Sequence, residues 1–264
     1  MTVFKELESY RQRAIPDQRP VLEKKIGYRQ YPLDVDDPRN SEPLVPISEF
    51  GILGTNYYGS SLNPPYYERI GGSIDTVYVR RGVGQTLAGI NERLAPVGLE
   101  LYLFDGWRPT EVQSYFHNVW MPNELRRRNP DWDADRIEAE VSEYWAAPTV
   151  DPRSPSPHAT GGAVDLRLQW KSGEPLWFGS LFDDVSELAH VDFFEKKLAN
   201  PGRSLAFSDE EARANRRLLY WLMTEHGFAH NPTEWWHFGL GELMWAKLTG
   251  APGAYYGLAE AGGS

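Results

Sequence analysis

Leu99-Glu100-Leu101-Tyr102-Leu103-Phe104-Asp105-Gly106-Trp107-Arg108-Pro109 is the stretch on which the reading of the fold turns. Leu99, Leu101 and Leu103 alternate with Glu100 and Tyr102, the period of a strand with one buried and one wetter face. The alternation stops at Asp105-Gly106, so Arg108 is placed just beyond a strand end. Upstream, Ile74 to Arg80 has strand composition, and Gln85 to Val97 sets Leu87, Ile90 and Leu94 at helical spacing. Downstream, helical spacing returns from Thr110 to Trp120 and from Asp135 to Trp145. Pro148, Pro152, Pro155 and Pro157 then lead into His158.

Farther on, Ala163 to Trp170 reads as a strand and Asp184 to Leu198 as a helix. Ser208 followed by Glu211 forms the pattern of a capping box for a helix carrying Leu218, Leu219 and Leu222, with Gly227 placed to stop it. A last strand is expected from about Trp235 to Leu240. This mixture predicts an α+β domain over residues 49–264, with a central, mainly antiparallel sheet and flanking helices. Residues 1–48 contain Pro16, Pro20, Pro32, Pro38, Pro43 and Pro46 and are expected to form an extended arm lying on that domain.

Composition narrows the function. At 41% hydrophobic and 24% charged, the 264-residue chain is globular in character, which excludes disordered and fibrous classes. A net charge of -10 argues against a nucleic-acid partner, which would need clustered Lys and Arg. The short Arg126-Arg127-Arg128 run reads as a solvated helix end. No apolar run reaches the ~20 residues of a membrane helix. The charged amino terminus lacks a signal-peptide core, so a cytoplasmic location is expected. With no cysteine in the sequence, thiolate metal sites and thiol nucleophiles are excluded.

Any metal must therefore rest on His and carboxylates. Ser156-Pro157-His158-Ala159-Thr160-Gly161-Gly162-Ala163-Val164-Asp165 joins an imidazole to a carboxylate through a small-residue turn, and glycine permits the fold-back that brings them together. Taken alone, the pair reads more readily as a hydrogen-bonded loop than as ligands. In Glu234-Trp235-Trp236-His237-Phe238, strand alternation puts His237 on a cleft face, while Pro232-Thr233 supplies the bend that turns Glu234 toward it. Together the two segments offer His158, Asp165 and His237 as ligands and Glu234 as a free carboxylate. A catalytic zinc site needs three protein ligands, an open position for water and a base. The His-Glu-x-x-His helix motif is absent. Arg108 suits the oxyanion of a tetrahedral intermediate, with a surface ion pair to Asp105 as the competing reading.

These segments resemble the D-alanyl-D-alanine dipeptidases of the VanX type. The resemblance rests on Ser-x-His-x-x-Gly-x-Ala-x-Asp at 156–165, Glu-Trp-Trp-His at 234–237 and Asp-Gly-Trp-Arg-Pro at 105–109. Weaker similarity lies at Thr55 to Gly59, Phe182-Asp183 and Asn215 to Leu219, covering roughly residues 50 to 245. It implies the zinc D,D-peptidase fold (VanX/hedgehog-like) and one zinc ion per chain held by His158, Asp165 and His237. It also implies Glu234 as catalytic base and Arg108 as transition-state stabiliser, with Ser156 and Asp183 holding the amino group of a small dipeptide. The long arm before residue 50 and the charged Asn123–Val150 region depart from the family and are expected to shape the cleft mouth. Two other readings stay open: a carboxypeptidase or amidase acting on peptidoglycan stem peptides, and a zinc-binding interaction domain without turnover.

Overall fold

The Leu99–Asp105 strand lies inside a five-stranded sheet in the computed structural model, which describes residues 3–260 apart from 145, 150, 201 and 203. Trp145 and Val150, which bound two of the expected segments, fall outside the described residues. The strands are β1 (Leu44–Pro46), β2 (Leu53–Gly54), β3 (Tyr78–Arg80), β4 (Leu99–Asp105), β5 (Ala163–Trp170), β6 (Ala229–His230) and β7 (His237–Gly239). The helices are α1 (Val3–Gln12), α2 (Arg19–Lys25), α3 (Arg81–Leu94), α4 (Thr110–Tyr115), α5 (Met121–Arg128), α6 (Ala134–Tyr144), α7 (Phe193–Ala199), α8 (Phe207–Glu225) and α9 (Leu243–Thr249). The main sheet runs β2-β4-β5-β7-β6; the β2–β4 pair is parallel and every other pair antiparallel, so the expected α+β, mainly antiparallel architecture holds.

Alternation on β4 does what its period requires: Leu101 and Leu103 are fully buried, while Glu100 and Tyr102 are half-buried. On β5, Val164, Leu166 and Leu168 are buried too, as suits a central strand. These residues share one hydrophobic core with Val83, Leu87, Ile90 and Leu94 of α3 and Leu218, Leu219 and Leu222 of α8. Among the described residues, no helix is long and apolar enough to cross a membrane.

Register positions the site. A β-bulge between Leu103 and Asp105 brings Asp105 opposite Asp165, and β5 then sets Asp165 opposite His237 on β7. Asp105, Asp165 and His237 thus form a row across three strands. A one-residue slip of β5 would turn Asp165 to the other face and dissolve the row.

Several expectations need correction. Residues 1–48 are not extended throughout, because α1 and α2 form within them. Leu7 and Tyr10, three apart and free of proline, share a face that is buried in the core, and Tyr10 donates to Glu225 at the end of α8. The strand expected from Ile74 shortens to β3 and pairs with β1 in a separate two-stranded sheet. The helix expected from Asp184 to Leu198 is broken into a short 3-10 turn at Glu187–Ala189 and α7. The carbonyls of Leu188 and His190 serve instead as acceptors for the buried guanidinium of Arg216. α8 begins at Phe207, so Ser208 does not cap it; Asp209 instead accepts the N–H of Ala206. The last strand contracts to His237–Gly239, since the N–H groups of Glu234 and His237 close tight turns onto Asn231 and Glu234.

Candidate metal centre

His158 opens a short 3-10 turn that Gly161 ends in the left-handed conformation, with φ of 71°. An added Cβ there would lie 2.3 Å from Leu44, so both the backbone angle and the close approach call for glycine. The turn returns His158 over the start of β5. Its Nδ1 lies 2.8 Å from the carbonyl of Gly106. That carbonyl can only accept, so Nδ1 carries the proton and Nε2 faces the site with its lone pair.

Donor atoms of two further residues converge on that lone pair. Nε2 of His158 is 3.1 Å from Nδ1 of His237, which is 3.0 Å from Oδ1 of Asp165, and Oδ2 of Asp165 lies 3.3 Å from His158 Nε2. All three residues are buried and form a possible metal-ion cluster. Zinc–nitrogen bonds of ~2.0–2.1 Å at a tetrahedral angle place two nitrogens about 3.3 Å apart, close to the observed spacing. Two imidazoles and a carboxylate brought this close could hold a divalent ion, and this donor set fits one of borderline character such as zinc. His237 Nε2 is buried with no hydrogen-bond partner among the described residues, so the hydrogen bonds of this ring all lie on the cluster side. Burial alone would raise the Asp165 carboxyl, but His158 and His237 beside it outweigh that and hold it well below the usual range. His158 is raised against its own burial, chiefly by Asp165.

Glu234 stands just outside this cluster. Its Oε2 is 3.6 Å from His237 Nδ1, and its side chain keeps 14% exposure, so the carboxylate is close without belonging to the tight triangle. Arg108, expected to serve the site or else to form a surface pair, is buried. It donates to Asp105 at 2.7 Å, Gln113 at 2.9 Å, Tyr58 at 3.2 Å and Asp165 at 3.3 Å. The pair with Asp105 is real, but it lies inside the molecule and aims the guanidinium at the cluster.

Ser156 and Asp183 also border the cleft over the cluster, whose volume is about 270 Å³. Asp183 adopts φ of 60°, unusual for a residue with a side chain. It accepts hydrogen bonds from the hydroxyls of Tyr58 and Tyr66, each at 2.9 Å. Burial, followed by the nearby Asp165, pushes its carboxyl well above the ordinary value. Tyr66 and Gln113 escaped the sequence reading, and Tyr58 was noted only within Thr55–Gly59. Nothing in their local sequence distinguishes them from core residues.

Residues 75–248 match the family model described as D-ala-D-ala dipeptidase. This chain belongs to that family. Family members similar to it include a D-alanyl-D-alanine dipeptidase of Synechocystis sp., 30% identical over 217 residues that span 78% of this chain and 84% of the relative. Another, from Enterococcus faecium, is 32% identical over 179 residues, 64% of this chain and 79% of the relative. Among solved structures, the vancomycin resistance D,D-pentapeptidase VanY in complex with Zn(II) aligns at 15% identity and a TM-score of 0.37, covering 63% of this chain and 75% of that one. The matched segment contains all three cluster residues together with Arg108, Asp183 and Glu234, and it excludes α1, α2 and β1.

Proposed function

We propose that this family member is a zinc D,D-dipeptidase that hydrolyses D-Ala-D-Ala or a similar small dipeptide, with one zinc ion per chain held by His158, Asp165 and His237. The observation that carries the reading is the buried three-atom cluster with one further carboxylate, Glu234, 3.6 Å from it. A structural zinc site is normally closed by four protein ligands and has no use for a free carboxylate at its edge. When bound, zinc would polarise the substrate carbonyl and lower the pKa of a water toward ~7.

Glu234 takes a proton from the attacking water onto its carboxylate and returns it to the leaving amine nitrogen. Arg108 keeps its charge at any working pH and faces the cluster beside Asp165, where it stabilises the developing oxyanion. Ser156 and Asp183 border the end of the cleft that takes the substrate's ammonium group. At about 270 Å³ the cleft lies at the small end of ligand pockets, which favours a dipeptide over a longer stem peptide.

The test is to measure bound metal, strip it with a chelator, and assay dipeptides of both chiralities alongside peptidoglycan stem peptides before and after zinc is restored. Zinc-dependent release of alanine from D-Ala-D-Ala is the expected result. Cleavage confined to stem peptides, or no hydrolysis by zinc-loaded protein, would overturn the reading.

A further inference from the structure

One wall of the cleft comes from outside the family match. Lys25 at the end of α2, followed by Tyr28 and Arg29, borders the same cavity as His158, Glu234 and Asp183, although residues 1–74 precede the matched segment. This wall is fastened to the body of the protein. Lys24 donates to the carbonyl of Leu248 at 2.8 Å, Lys247 reaches back to the carbonyl of Ile26, and Tyr31 donates to Ala251 at 2.9 Å. Lys25 itself donates to Asn231 at 3.0 Å, and the Asn231 carbonyl accepts the N–H of Glu234. The segment is therefore tied to the turn that carries the free carboxylate.

Charge around the cleft is divided. Asp165, Asp183, Asp184 and Glu234 are the acidic groups of the lining, and Arg108 is committed to Asp105 and Asp165. Lys25 and Arg29 are the remaining Lys and Arg side chains of the lining; Lys25 donates to the Asn231 side chain, and Arg29 to the Ala147 carbonyl and the Tyr28 phenol. Each keeps further N–H donors, because an ammonium has three and a guanidinium five. Burial, the largest influence on the Tyr28 phenol between them, holds it in its neutral, donating form.

We propose that Lys25 and Arg29, with Tyr28 between them, bind the C-terminal carboxylate of the substrate, so that the cleft selects free dipeptides over those with a blocked C-terminus. The inference rests on the dipeptidase reading and deepens it. With the carboxylate held by Lys25 and Arg29 and the scissile bond over the cluster, the direction in which a zwitterionic dipeptide lies is fixed. A hydrogen bond to a charged group is typically worth about a tenfold change in affinity or more.

Calorimetric binding of D-Ala-D-Ala and of D-Ala-D-alaninamide to the zinc-loaded, full-length Glu234→Gln protein tests it without turnover. The Glu234→Gln protein is expected to prefer the free acid by roughly tenfold or more. Adding Lys25→Met and Arg29→Met together is expected to reduce the preference to about twofold or less, while Lys25→Arg with Arg29→Lys retains it. Should the double Met variant not fold, the single variants are each expected to lose part of the preference. An acid preference that persists in the Met variants, or is absent from the Glu234→Gln parent, overturns the inference, as does a parent that binds neither compound. Hydrolysis of D-Ala-D-Ala by the wild type, assayed in parallel, separates the two failures. Turnover with an unchanged preference sinks the carboxylate assignment alone, whereas absent turnover sinks the dipeptidase reading.

Discussion

Asp105 accepts a hydrogen bond from Nε of Arg108 at 2.7 Å, with both side chains buried at the end of β4. The same guanidinium extends Nη2 to Asp165 at 3.3 Å, so one residue of the strand end aims a fixed positive charge at the His158–Asp165–His237 cluster. Removing one partner of such a pair strands a charge in a dry environment. Asp105→Ala is expected to lower stability by roughly 3–5 kcal/mol, read by urea denaturation. Arg108→Lys keeps the charge but loses the fork, and is expected to fold while kcat falls about 10²–10³-fold.

Glu234 and His237 should separate cleanly on mutation. Glu234→Gln is expected to retain bound zinc and lose about 10²–10⁴ in kcat, the usual value of general-base catalysis. His237→Ala removes an atom from the converging triangle and is expected to release the metal along with the activity. Metal content and turnover measured on the same preparations check both.

Glu242 gives the fold a pH dependence. Burial pushes its carboxyl from 4.5 up to about 7, although the N–H groups of Met244 and Trp245 both donate to it at 2.6 Å. Because the folded state holds this proton more tightly than the unfolded chain, the stabilisation is fully present below about pH 4.5 and is lost as pH rises toward 7. A shift of this size corresponds to roughly 3 kcal/mol. Relative to the wild type, Glu242→Gln is expected to remove this fall between pH 5 and 7, measured by urea denaturation at several pH values.

Arg216 is nearly inaccessible and donates to the carbonyls of Phe178, His190 and Leu188 at 2.6, 2.6 and 2.7 Å. Arg216→Met fills much of the same space but leaves those carbonyls without their donor. With each unsatisfied buried group worth about 1–3 kcal/mol, the variant is expected to lose on the order of 4 kcal/mol or more. Guanidinium denaturation would show it as a large drop in midpoint with little change in slope.

Arg216 also shows where sequence reading stops. Within Asn215–Leu219 it looks like any helical arginine, since neither periodicity nor spacing reveals that its partners lie 26 to 38 residues earlier in the chain. The same blindness produced the unbroken helix expected at Asp184–Leu198, whose residues are held by Arg216 from across the core. The extended arm failed for a related reason. Its prolines mark where helices must stop, but not that Leu7 and Tyr10 find a hydrophobic seat against α8.

Short-range order was legible from residues alone. The Leu99–Leu103 alternation and the Ala163–Trp170 run each contain the period that makes a strand, and the inventory of two histidines, an aspartate and a glutamate without any cysteine limited the chemistry available. Only the tertiary structure decided the bulge that sets Asp105 beside Asp165, the register that sets Asp165 beside His237, and the arrival of Lys25 and Arg29 at the cleft. A period is written into about ten neighbouring residues, whereas a register is the joint outcome of packing between strands some seventy residues apart, and no local stretch carries that information.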